Sequence, residues 1–170
     1  MISVCRKLFA GVSSVSLVAG LALLAGCASS HVTEDKRDVP LARQVTQSAH
    51  CGLTGPGLAY VQAAERLQQM LDLPTQNMAV QQLRQVDLAK EHLLFVTLGE
   101  RPTSGYSLSL SSAQSTTSTL QLAVTMRSPA PGTMTAQVIT SPCVVVAVPA
   151  RDWSQIRVSG VRDQDLVLKP

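Results

Sequence analysis

From His92 onward the chain is a succession of short apolar runs broken by Gly, Pro and Ser, which is the pattern of a protein built from short strands. Residues 92–98 (HLLFVTL) form a continuous apolar run with β-branched and aromatic content. Successive side chains of a strand point to opposite faces, so Leu120, Leu122 and Val124 share one face, and residues 106–110 alternate in the same way. Residues 111–119 are rich in Ser and Thr and read as a solvated strand pair with its turn. Residues 133–140 and 143–148 read as two further strands, parted by Ser141 and Pro142, and residues 155–158 and 165–169 are candidates to close the sheet. Strands at such intervals predict a β-sandwich or a small barrel.

The preceding stretch is more mixed. Residues 41–48 suit a first strand around Leu41 and Val45, and residues 51–57 read as a loop by their glycines and Pro56. Residues 62–72 (QAAERLQQMLD) predict the best helix of the chain, with Ala63, Leu67, Met70 and Leu71 at helical spacing on one face and Pro74 beyond its end. A shorter helical turn is expected over 78–83. The expected class is therefore mainly β, an α+β domain with one or two short helices near its start.

The first 27 residues follow another logic. Arg6 and Lys7 precede the apolar stretch 8–25, and the small residues Ala25 and Gly26 come directly before Cys27. That layout is a secretory signal rather than a membrane span. The run Leu24-Ala25-Gly26-Cys27 resembles a bacterial lipobox. The resemblance implies a diacylglyceryl group on the Cys27 thiol, cleavage after Gly26, and a further acyl chain on the freed amine. Each buried methylene of such chains is worth about 0.8 kcal/mol. An ordinary signal peptide with a chance cysteine is the alternative. The expected organisation is a signal peptide over 1–26, a lipidated N-terminus and polar tether over 27–40, and one β-rich domain over 41–170. Ala28 and Ser29 follow the cysteine, with no aspartate in second place. The usual sorting rule then implies the outer membrane, with the domain in the periplasm.

Charge and composition exclude several functions. The chain has 14 Lys plus Arg against 11 Asp plus Glu, and loss of Arg6 and Lys7 with the signal brings 14 down to 12, near balance. No basic stripe for nucleic acid remains. Aromatic residues are 3% of the chain, too few to offer stacking surfaces to sugars or flat ligands. Cys51 and Cys143 are two thiols in an oxidising compartment and are expected to form a disulfide, the alternative being two buried free cysteines. His31, His50 and His92 show no spacing that makes a metal cluster with them. There is no Gly-x-Ser-x-Gly elbow and no His-Glu-x-x-His helix. His92 opens an apolar strand, as structural histidines do, and Asp87 and Glu91 read as a solvated surface pair. No catalytic residue, cofactor or small-molecule substrate is expected.

The most distinctive stretch is 86–108. It holds Asp87 before an apolar strand that ends at Gly99, then the loop Arg101-Pro102-Thr103-Ser104-Gly105-Tyr106. Further on come Pro129-Ala130-Pro131-Gly132 and Pro142 before the apolar run from Cys143. In order and spacing, residues 86–150 resemble the PrcB-like C-terminal domain of lipoproteins and accessory subunits of bacterial surface protease complexes. Two positions depart from that pattern: Ser104 stands where the family has Gly, and Cys143 where an aromatic is common. A looser similarity links the loop to chagasin-like inhibitors of cysteine peptidases, which present three loops at one end of a sandwich. Residues 102–106, 129–132 and the run Arg151-Asp152-Trp153 would be those loops here, although the inhibitors' Gly-x-Gly-Gly is absent.

The resemblance implies a non-catalytic lipoprotein that binds protein and stabilises or assembles a protease or other envelope complex. Arg101 to Tyr106 are the expected contact loop, with Arg151 and Trp153 as contact anchors, since Trp and Arg dominate many interfaces, although Trp153 suits a cap on the core equally well. A loop-wedge inhibitor of a peptidase and a purely structural envelope lipoprotein are the competing readings.

Overall fold

The computed structural model describes residues 40–170. In chain order the elements are β1 (Arg43–Ser48), β2 (Pro56–Val61), α1 (Ala64–Leu71), α2 (Val80–Arg84), β3 (Glu91–Leu98), β4 (Ser107–Ser115), β5 (Thr119–Arg127), β6 (Cys143–Pro149), β7 (Gln155–Ser159) and β8 (Leu166–Leu168). The expected signal peptide and the lipidation expected at Cys27 fall on residues outside the described ones.

The strands form two four-stranded sheets, one ordered β1-β6-β3-β2 and one ordered β4-β5-β7-β8. The first is antiparallel throughout. In the second, β5 and β7 are parallel. A parallel pair needs a crossover; here the chain leaves β5, runs β6 through the opposite sheet and returns as β7. The mainly β, α+β class holds, and the sandwich stays open rather than closing into a barrel.

Burial explains the sequence pattern. Leu94, Val96 and Leu98 of β3 and Val144, Val146 and Val148 of β6 join Leu120, Leu122, Val124, Ile156 and Val158 in the core between the sheets. The intervening residues Leu93, Phe95, Cys143, Val145 and Ala147 face the other way, onto Leu67, Met70 and Leu71 of α1 and Leu83 of α2. β3 and β6 are thus buried on both faces, which is why they read as unbroken apolar runs. β5 is buried on one face, which is why it alternates.

Two sequence expectations are corrected. Residues 133–140 form no strand of either sheet; only Thr140 pairs, in an isolated bridge with Arg101. Conversely, β2 occupies residues from Pro56 that read as the end of a loop. It is the edge of its sheet, where Pro at the first position removes no ladder bond.

The register defines two ends. At one, β1 begins opposite Ala147, and β3 begins with Glu91 opposite Pro149. At the other, β3 finishes near Cys143, while Ser107 and Arg127 pair where β4 begins and β5 ends. We call these the proximal and distal ends. At about 3.3 Å per residue, a strand as long as β3 separates them by roughly 25 Å.

Candidate functional site

The loop after β3 is held by backbone geometry from its first residue. Gly99 has φ of 71°, and a Cβ there would sit 2.7 Å from the Pro56 nitrogen, so only glycine lets β3 turn beside β2. The Glu100 N–H then donates to the Thr54 carbonyl at 3.0 Å. Arg101, driven into an extended conformation by Pro102, exchanges two backbone hydrogen bonds with Thr140, at 2.8 and 2.9 Å. The Thr140 hydroxyl donates to the Thr103 carbonyl at 3.0 Å. Ser104 donates its N–H to the Ala136 carbonyl at 3.1 Å, and its hydroxyl oxygen accepts the Ala136 N–H at 3.2 Å.

The loop ends as firmly as it starts. Gly105 has φ of 96°, and a Cβ on it would lie 2.9 Å from Cγ of Pro129. The Arg101 guanidinium carbon lies 5.7 Å from the centre of the Tyr106 ring, within cation–π reach. Among the described residues no carboxylate forms an ion pair with Arg101. Pro102 and Gly105 are exposed, so a rigid tip faces solvent at the distal end.

The Cys51–Cys143 disulfide, with Cα atoms 6.1 Å apart and both residues fully buried, ties the loop before β2 to the start of β6 at this same end. Cys51 and Gly52 both donate N–H groups to the Ser141 hydroxyl at 3.0 Å. Beside them His50, Thr54, Glu100 and Ile139 line a shallow cleft of about 190 Å³.

The other expected contact residues lie elsewhere. Arg151 and Trp153 follow β6 at the proximal end, where Ser154 bonds Ser118. Trp153 is only 4% exposed; it closes the core, donates its indole N–H to the Pro149 carbonyl at 3.2 Å, and is covered by the Arg151 guanidinium at 3.7 Å. The ring therefore has little surface for a partner. The three-loop arrangement of the inhibitors is not assembled: residues 102–106 and 129–132 meet at the distal end, and residues 151–153 sit at the opposite one.

The candidate chemical groups are dispersed too. His50 is distal and His92 proximal. The Tyr60 hydroxyl and Nδ1 of His92 share a hydrogen bond at 2.7 Å, and burial lowers the His92 pKa, opposed by Asp152. Burial first, and the charge of Asp152 second, push the Tyr60 phenol up to about 12. Asp87 bonds Lys90 at 2.9 Å, which holds its pKa below the usual carboxylate range. Glu91 instead takes two bonds from Arg43, one at 3.0 Å, so the two carboxylates belong to separate ion pairs. Among the described residues no three His, Cys, Asp or Glu side chains are placed to hold a metal ion. No described helix is long and apolar enough to cross a membrane.

Residues 93–149 match the family model described as PrcB C-terminal. The PrcB C-terminal match runs from β3 to the last residue of β6, and so contains the whole loop, its Ala136 and Thr140 partners, and Cys143. No curated protein and no solved structure matches the chain. The loop is legible in the sequence through its Pro and Gly; the segment that clamps it is not, because Ala136 and Thr140 lie in a run with the residue types of a regular strand.

Proposed function

We propose that the chain is a lipid-anchored accessory protein that binds a protein partner through its distal end and thereby stabilises or assembles a protease or other envelope complex. The observation that carries this reading is the loop of residues 101–106, fixed by five hydrogen bonds to residues 136 and 140 yet exposed at its tip. A rigid exposed loop loses little entropy on binding, which favours recognition. The PrcB C-terminal similarity supports the accessory role.

The test is a crosslinked pull-down from membranes with the lipidated protein as bait, with partners identified by mass spectrometry. A protease as the leading partner, lost when Thr103 or Gly105 is substituted in a chain that still folds, supports the proposal. Envelope proteins without a peptidase, captured equally well after those substitutions, leave a structural lipoprotein.

A further inference from the structure

The cleft beside the contact loop is walled by segments that are each fixed through the backbone. The His50 N–H donates to Ser48 Oγ at 2.9 Å, and the His50 carbonyl accepts the Asn77 N–H at 2.7 Å. The Ser48 hydroxyl lies 3.0 Å from the Asn77 carbonyl, so the turn after α1 is strapped onto the loop before β2. The Cys51–Cys143 disulfide and the Ser141 hydroxyl hold that loop from the other side. Glu100 is tied to Thr54, and Thr140 to Arg101. Thr75 is the strained point of this frame. Its φ is 64°, in the left-handed region that a β-branched residue resists. It lines the cleft with His50, Thr54 and Glu100. Such strain persists where the surroundings over-determine it, and it gathers at binding sites.

Side chains of one chemical kind are left over. The Glu100 carboxylate forms no ion pair among the described residues. The neighbouring guanidinium of Arg101 lies over Tyr106 instead. Among the described residues the hydroxyls of Thr54 and Thr75 and the ring of His50 enter no hydrogen bond, although the backbone around them is fully engaged. A neutral imidazole also offers an acceptor nitrogen. The cleft thus presents one negative charge and acceptors from separate segments. Its volume is about 190 Å³. Small-molecule sites run to roughly 300–1,000 Å³, so this one suits a single side chain rather than a whole ligand.

We propose that the cleft receives a lysine side chain of the protein partner that docks on residues 101–106. An ammonium is a compact charge with three donors. Glu100 takes one donor, and the Thr54 and Thr75 hydroxyls accept the others. Ile139, on the wall of the cleft and 69% exposed, covers the methylene stem. The rigid planar fork of an arginine matches a single planar acceptor better than acceptors spread over several segments. The inference rests on the reading of the chain as a protein-binding accessory, and gives the partner a chemistry: a lysine beside the surface that meets the loop.

The test treats membranes carrying the full lipidated chain with a water-soluble carbodiimide. The reagent joins a carboxylate to a touching amine as an amide and takes up the water as a urea. The expected product links Glu100 to a lysine of the same partner that the membrane pull-down recovers. In that pull-down Glu100→Gln, which keeps the shape and removes the charge, should lower recovery about tenfold, and Glu100→Lys should lower it further. Glu65→Gln on α1 should leave it unchanged. Both Glu100 variants should keep Tm within about 2 °C, since the carboxylate has no internal partner. Recovery indifferent to Glu100→Gln would overturn the lysine site; if it is still lost when Thr103 is substituted, the accessory reading stands. No recovered partner from the unaltered chain would overturn both. A product through the partner's N-terminal amine, or between two copies of this chain, would also overturn the proposal.

Discussion

Single residues show where composition misleads. A lone Trp after an Arg reads as a contact anchor, yet Trp153 fills the proximal end of the core and Arg151 lies over it. Sequence cannot separate the two roles, because the same large ring serves either. Gly99 is plainer: its left-handed backbone and its contact with Pro56 leave no room for a methyl group. Gly99→Ala should cost at least about 2 kcal/mol and lower the thermal midpoint by roughly 5–10 °C in a calorimetric scan. The Tyr60–His92 pair sets two pH limits. The His92 pKa is lowered on folding, so its contribution is complete above the unfolded value of 6.5 and is lost as pH falls below it. The Tyr60 pKa is raised from 10 to about 12, so its contribution is complete below pH 10 and fades as pH climbs toward 12. Denaturant titrations at several pH values should show both limbs, and Tyr60→Phe should abolish the alkaline one.

At the scale of elements, legibility follows burial. β3 and β6 were plain in the sequence because both faces are covered, and β5 because one face is. The helix α1 was legible from its apolar spacing, starting two residues later than expected. β2 was hidden by the Pro56-Gly57 at its start, which an edge position tolerates. Residues 133–140 misled in the opposite sense. They carry the residues of a strand, and whether such residues pair depends on neighbours that the sequence does not place. The pairing of Arg101 with Thr140 and of Ser104 with Ala136 spans more than 30 residues and is a tertiary fact. The disulfide acts at this scale too. Replacing Cys51 and Cys143 together by Ser should destabilise the domain by roughly 2–4 kcal/mol. Amide exchange should also quicken first around residues 51–52 and 140–142, because Ser141 is held between the two.

At the scale of the whole molecule, the proposed order is an acyl anchor, a domain and a partner. Cys27→Ala should move the protein from the membrane fraction to the soluble one after osmotic release, with its thermal midpoint unchanged, since Cys27 precedes the folded strands by more than ten residues. Persistence in the membrane fraction would mean that something other than acylation holds it there. In the proposed function, partners meet the distal end. Hydrogen exchange read by mass spectrometry, on the chain alone and on the complex purified from membranes, tests this. Slowed exchange is expected over residues 99–106 and 133–142 in the complex, with α1 and residues 150–154 unchanged. Protection confined to α1, or to the proximal residues around Arg151, would contradict it.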